Sequence, residues 1–507
     1  MTSKFEYLSI KTAIAEILAR KVFSSLENDS RNAVEIQDQL LRQLVKKAAQ
    51  TKFGQDHEFS SISSVKEFQA KVPIRDYEEL KEYIEQAVEG KPDILWPGRP
   101  QYFAKTSGTT SGAKFIPITR SSIRHQVTAA RNMLLCYVHL KKSADLLLGK
   151  LIFLQGSPSM KKENGILIGR LSGIVAHHVP SYLQKNRLPS WEVNILEDWE
   201  QKVDAIVKET YHQDMRMISG IPPWMQMYFD RLQAKEGKKI KELFPNFNLL
   251  VHGGVNFAPY KGPLLASIGK EIDIVETYPA SEGFFAFQND YRENGLLLNV
   301  RGGIFYEFVD LSHWGSEEAR RLSLAEVEVG VNYVMIISTD AGLWGYNIGD
   351  TVRFLSISPY KIEVTGRIKH FISAFGEHVI AQEVSDALAT SCQEMGGLVR
   401  EFTVAPEVSP SAGLPYHEWF IDFEKLPDSM ERFSAHLDEQ VRQRNSYYDD
   451  LITGQVLQPL KIKQMKPRGF ERYMDSIGKL GGQNKVPRVM KKDQFEEWEA
   501  FVQEEVR

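Results

Sequence analysis

The stretch Thr106-Ser107-Gly108-Thr109-Thr110-Ser111-Gly112-Ala113-Lys114 packs hydroxyls, two glycines and a lysine together, a composition suited to gripping phosphate. Glycine lets the backbone approach an anion with no Cβ in the way, consecutive amides can point at phosphate oxygens, and the hydroxyls add donors. The spacing excludes a Walker loop, which wants four residues between its glycines and then Gly-Lys followed by Ser or Thr. Here Ala113 separates Gly112 from Lys114, and Phe115 stands where the hydroxyl belongs. A solvated Ser/Thr/Gly turn is the simpler alternative. The flanks favour a functional loop, because Tyr102-Phe103-Ala104 before it and Phe115-Ile116-Pro117-Ile118 after it read as buried strands.

Two further strings follow, Thr277-Tyr278-Pro279-Ala280-Ser281-Glu282-Gly283 and Tyr346-Asn347-Ile348-Gly349-Asp350. In order and spacing the three resemble the motifs of the Gretchen Hagen three acyl acid amido synthetases. These belong to the adenylate-forming superfamily, with acyl-CoA ligases and peptide-synthetase adenylation domains. The likeness runs from about residue 35 to about residue 495. It implies ATP and Mg²⁺ as cofactors, with phosphates on Thr106, Ser107, Gly108, Thr109, Thr110, Ser111 and Gly112. The same resemblance gives Glu282 to the metal and catalysis, Asp350 to the ribose hydroxyls, and Thr277 and Ser281 to the nucleotide site. Gly366-Arg367 resembles the superfamily's hinge, which adds Arg367 to the cofactor-binding set. Gln483-Asn484-Lys485-Val486-Pro487-Arg488 resembles the family's terminal segment, which makes Lys485 the candidate catalytic ammonium.

Residue chemistry is compatible with those roles. Mg²⁺ takes oxygen ligands and often only one or two carboxylates beside substrate phosphates, so a single Glu282 suffices. Tyr278 offers a flat ring for adenine, although a tyrosine at a strand end is commonly core. His252-Gly253-Gly254 follows an apolar run and could let backbone line the base, with His252 itself read as packing rather than catalytic. A turn-forming aspartate is the alternative for Asp350. The chain departs from the family in three places: Asn347 replaces an arginine, His370 replaces the acyl-CoA ligases' aspartate, and the loop is one residue shorter before Pro117, which unsettles the alignment of Lys114.

The chemistry these residues would perform is acyl activation. A carboxylate is a poor acyl donor because its leaving group would be oxide; attack on the α-phosphate of ATP converts it to an acyl adenylate whose leaving group is AMP. Catalysis of such a transfer is mostly positioning and electrostatic stabilisation by amides, cations and a metal. Competing schemes lack footing: there is no Gly-x-Ser-x-Gly elbow, no His-Glu-x-x-His and no dinucleotide fingerprint, and His177-His178 on a strand could not face one metal together.

The elements that must position the motifs read as α/β. Residues 30 to 50 and 64 to 90 alternate apolar and charged positions at helical spacing, giving an opening helical layer. Short apolar runs at Leu151–Leu154, Met215–Ile218, Leu249–Val251, Ile272–Val275 and Tyr333–Ile337 are strand-like, and all three motifs are expected in turns directly after strands. A fresh block after residue 367 has its own strand at Glu418–Phe423 and helix at 429–444. The expected organisation is a large N-terminal adenylate-forming domain of β-sheets flanked by helices, residues 1–366, and a smaller mobile α+β domain, residues 367–507.

With 507 residues and 42% apolar content the chain can bury two cores, and 62 basic against 66 acidic residues leave a net charge of -4. No broad basic surface exists for nucleic acid. Two cysteines, Cys136 and Cys392, exclude a disulfide framework, and charged residues interrupt the N-terminal segment where a secretory signal would need an apolar core. The expectation is a cytoplasmic monomer or homodimer without a membrane partner. The function read from the sequence is an ATP-dependent ligase joining a small carboxylic acid to an amine, most simply an amino acid. The alternatives are an acyl-CoA ligase with the same first step and a nucleotide-binding interaction protein without catalysis. The acyl pocket is expected from residues 156 to 190 with Ile221, Pro222, Pro223 and Trp224.

Overall fold

The computed structural model describes residues 2–109, 112–179, 184–196, 199–254, 257–368, 371–372, 377, 379–408, 410, 412–476, 486, 488–490, 498–499, 501–502 and 505–506. The chain forms two compact units. One comprises Met1–Thr106, Phe115–Glu197 and Gln201–Ile368; the other comprises Ser107–Lys114, Asp198–Glu200 and Lys369–Arg507.

The first unit opens with helices Thr2–Arg31 and Ala33–Ala48. The helical pattern over residues 64 to 90 is two helices, Val65–Lys71 and Tyr77–Val88, because Pro73 cannot continue a helix. Asp76 restarts it with a capping box, its carboxylate accepting from Glu78 and Glu79 amides while the Glu79 side chain accepts from the Asp76 amide. Aromatic rings from this layer, Phe53, Phe59 and Phe68, surround the fully buried Trp344, whose indole nitrogen donates to the Leu95 carbonyl at 3.0 Å.

Fifteen strands follow: β1 (Tyr102–Thr109), β2 (Gly112–Ile118), β3 (Lys150–Phe153), β4 (Lys161–Glu163), β5 (Ile166–Gly169), β6 (Arg187–Leu188), β7 (Met215–Gly220), β8 (Leu249–Gly253), β9 (Asp273–Ala280), β10 (Gly283–Phe287), β11 (Leu296–Leu298), β12 (Ile304–Asp310), β13 (Asn332–Thr339), β14 (Tyr346–Ile357) and β15 (Tyr360–Arg367). One sheet has the order β2-β1-β5-β4; the other is eleven-stranded, β12-β13-β14-β15-β11-β10-β9-β8-β7-β3-β6. The arm β9-β8-β7-β3-β6 is parallel, with helices on its crossovers, and β3, β7 and β8 are nearly continuous apolar runs as two-sided burial requires. The arm from β12 to β10 is antiparallel, and its register slips within β10, β13 and β14. Such bulges bend a strand and sharpen its twist, and this arm is strongly curled. β14 and β9 are separated by β15, β11 and β10. In a flat sheet they would lie roughly 19 Å apart, yet Tyr278 on β9 and Asp350 on β14 are in hydrogen-bond contact.

The second unit contains β16 (Phe371–Ile372) paired with β17 (Val379–Ile380), and a sheet in the order β18 (Leu398–Glu407), β19 (Tyr416–Lys425), β20 (Lys461–Gln464). β19 is buried from Tyr416 to Phe423. Phe420, Phe470, Tyr473 and Trp498 form a core on this unit's own chain, and helices Ala381–Met395 and Met430–Arg444 pack against each other. Among the described residues no helix is long and apolar enough to cross a membrane.

Candidate active site

β8 and β9 are drawn together at their carboxyl ends. Gly253 pairs with Thr277, and a Cβ built on Gly253 would lie 2.3 Å from the Thr277 carbonyl oxygen, so only glycine fits. The Thr277 hydroxyl donates to the His252 carbonyl at 2.9 Å. Gly254 then takes a φ of +82°, the left-handed region that favours glycine, and the Ile221 side chain lies beside it. The two glycines read from the sequence are therefore one for close approach and one for a turn. His252 stacks on Phe257 with centroids 4.0 Å apart, and its Nδ1 is buried without a partner among the described residues. Burial pushes its pKa down to about 4, so the imidazole is neutral at pH 7.

Tyr278 and Asp350 meet. The Tyr278 hydroxyl donates to Asp350 Oδ2 at 2.5 Å, both residues are buried, and the Tyr278 ring packs edge-on against Phe285 at 5.0 Å. The phenol therefore holds a carboxylate, and the ring belongs to the core cluster as well as to the site. Asp350 departs from the turn position expected of it. It lies inside β14, opposite Arg367 on β15, so the third motif sits in the early part of a strand rather than after one. The turn-like step comes just before it: Gly349 has a φ of +84°, and its amide donates to Asn347 Oδ1 at 2.8 Å. Asn347, where relatives carry arginine, thus closes an Asx turn that aims the chain into Asp350. Its own amide donates to the Arg75 carbonyl at 2.8 Å. No signal in the sequence pointed to Arg75.

Ser281 and Glu282 form the two-residue link between β9 and β10, closed by the Ala280–Gly283 pair, and both are half-buried. Among the described residues no group of three or more His, Cys, Asp and Glu could hold a metal. A lone carboxylate at a strand end is nevertheless a donor set that suits Mg²⁺, which keeps most of its ligands as water and phosphate oxygen.

Thr106 to Thr109 lie within β1 and Gly112 begins β2, and the two strands are neighbours in one sheet. Thr110, Ser111 and Lys485 lie outside the described residues. His177 and His178 follow the helix Leu171–Ala176 rather than standing on a strand. His177 Nε2 donates to the Pro158 carbonyl at 3.1 Å, and His178 Nε2 is 3.0 Å from the Tyr102 hydroxyl. The structure thus brings Gly253 to Thr277 and Tyr278 to Asp350 and Arg367, within the first unit.

Three family models match this chain: the GH3 family N-terminal domain over residues 22–190, the central domain over 297–367 and the C-terminal domain over 382–494. The chain belongs to the GH3 family. Among GH3 relatives, the Arabidopsis thaliana indole-3-acetic acid-amido synthetase GH3.15 is 22% identical, with 92% of each chain covered. The Arabidopsis GH3.3 synthetase is 28% identical over 37% of this chain and 33% of its own. The solved structure of the GH3.15 acyl acid amido synthetase superposes with a TM-score of 0.60 at 16% identity, covering 96% of both chains. A 2-hydroxyisobutyryl-CoA ligase bound to 2-HIB-AMP and CoA superposes with a TM-score of 0.56 at 14% identity, covering 96% of this chain and 92% of its own. The fold shared with these solved structures is a large α/β unit with a smaller α+β unit.

Proposed function

We propose that this GH3 chain is an ATP-dependent, AMP-forming ligase that adenylates a small carboxylic acid and passes the acyl group to an amine, most simply an amino acid. The observation that carries the reading is the near full-length match to an amido synthetase. In the first step a carboxylate oxygen bonds to the α-phosphorus and pyrophosphate leaves. In the second the amine nitrogen bonds to the acyl carbon, AMP departs with the bonding electron pair, and the nitrogen sheds a proton.

Under this reading Thr106 to Gly112 hold the departing phosphates, and Gly253, Gly254 and Thr277 line the base. Asp350, held by Tyr278, accepts from the ribose hydroxyls with Arg367 opposite it. Bound through Glu282, Mg²⁺ would supply charge neutralisation on the phosphates. Lys485 is assigned to the developing charge at the acyl phosphate, on a C-terminal domain beginning near residue 367. Neutral His252 lies one residue before the glycine pair and is assigned to packing against Phe257.

Exchange of labelled pyrophosphate into ATP, screened over carboxylic acids, tests the first step; Glu282→Ala is expected to abolish it. No exchange with any acid would refute adenylation, and exchange undiminished in Glu282→Ala would remove Glu282 from the metal site. Amines and CoA offered to the preformed adenylate decide the acceptor. Turnover with CoA alone would make the chain an acyl-CoA ligase.

A further inference from the structure

We propose that the region beside β6 and the carboxyl end of β3 carries a subsite for an anionic group at the far end of the acyl acid, formed by Arg187, Lys202 and the side-chain amide of Asn194. The inference rests on the ligase reading above and names a class of acid for it, one with a second carboxylate. Arg187 opens β6, its guanidinium lies over the ring of Phe153 at the end of β3, and its Nη1 donates to the Ala176 carbonyl at 3.2 Å. Its Nε and Nη2 are buried and without a partner among the described residues. Lys202 is 1% exposed and its ammonium donates to the Asn194 carbonyl at 2.7 Å. Asn194 is equally buried, and neither its side-chain nitrogen nor its oxygen has a partner among the described residues.

Among the described residues these cations have no counter-ion. Lys202 is pushed down to about 8, first by burial and then by Arg170 and Arg187, and burial alone depresses Arg187. Burying two charges of one sign without an opposite charge is expensive, and chains that do so commonly reserve the place for an anion. The two carbonyls cap helix ends and satisfy one N–H on each side chain, of the five on a guanidinium and three on an ammonium. What remains is a set of buried donors fit for a carboxylate.

Position decides which substrate brings it. Ligands of α/β sheets sit beyond the carboxyl ends of the strands. Gly253 and Thr277 mark that rim at β8 and β9; β3 and β6 lie two and three strands further along, roughly 10–14 Å away at the usual strand spacing. The carboxylate of an amino acid is adjacent to its nucleophilic nitrogen and stays beside the acyl carbon, so it cannot reach along the rim toward β3 and β6. A distal carboxylate on the acid can.

The probes are α,ω-dicarboxylates of increasing length and their monomethyl esters, tested on the full chain. Without ATP, a matching dicarboxylate should raise the melting temperature of the protein and its half-ester should not; Arg187→Gln and Lys202→Met should erase the difference. In pyrophosphate exchange, the kcat/KM ratio of dicarboxylate to half-ester should fall roughly 10- to 100-fold in either variant. In the unmutated protein that ratio should fall as pH rises through about 8, where Lys202 loses its proton, a readout independent of whether a variant folds. Equal treatment of diacids and half-esters by the unmutated protein, in binding and in exchange, would overturn the subsite. So would variants that keep the preference. Variants that alter only the KM of an acidic amine would overturn its assignment to the acyl acid. Dicarboxylate binding lost in both variants, with no exchange for any acid, would uphold the subsite and fail the ligase reading.

Discussion

Replacing Tyr278 with phenylalanine isolates the contact that joins the second motif to the third. The substitution deletes one O–H donor and leaves the ring, which stays packed against Phe285, so no cavity opens. The lost bond is a 2.5 Å contact between two buried residues. A hydrogen bond to a charged group contributes about 1.5–3 kcal/mol. At 1.4 kcal/mol per tenfold, Tyr278→Phe should weaken ATP by roughly 10- to 150-fold if the phenol orients Asp350 toward the ribose. The assay is the KM for ATP in pyrophosphate exchange at saturating acid. Asp350→Ala should weaken ATP at least as much, and the double variant should be no worse than Asp350→Ala alone, because the tyrosine acts through the aspartate. Additive losses would refute that route. An unchanged or lower KM in Tyr278→Phe would show that the phenol competes with the nucleotide for Asp350 instead of presenting it.

Gly253→Ala should force β8 and β9 apart, since its Cβ would lie 2.3 Å from the Thr277 carbonyl oxygen and 2.7 Å from its hydroxyl. Overpacking of this kind costs about 1–3 kcal/mol, read as a lower melting temperature together with a higher KM for ATP; a variant matching the parent in both would refute the close-approach argument. Lys202 has a folded pKa of about 8 against 10.5 for the free side chain. Between those values the unfolded chain binds more protons, so this residue makes stability rise with pH from about 8 to about 10.5, by at most about 3 kcal/mol. Lys202→Met should flatten that rise in urea midpoints compared at pH 7.5 and 10. Equal slopes in parent and variant would contradict the burial of the ammonium. The Cys136 thiol is buried and raised to about 12, so a thiol reagent should label it only on unfolding; rapid labelling of the native chain would contradict that packing.

What the sequence determined by itself is the local chemistry. Glycine and hydroxyl spacing in residues 106 to 112, the Ser281-Glu282 link and the apolar runs ending at Val251 and Ile218 depend on neighbours within a few positions, and the strands found there follow those runs. Local rules also explain the helix break at Pro73 and its restart at Asp76. Tertiary structure decided the rest. Asp350 looked like a turn residue because Gly349 precedes it, but the φ of +84° is spent at Gly349 and the aspartate enters β14. Its partner Tyr278 is far away in the chain and reaches it only because the antiparallel arm curls across three intervening strands. Arg187 and Lys202 are ordinary cations in the sequence; that no carboxylate among the described residues meets them follows from which elements pack around β3 and β6. Residue type sets what a side chain can do at short range. The company it keeps over long range is set by sheet order and curvature, which no local pattern encodes.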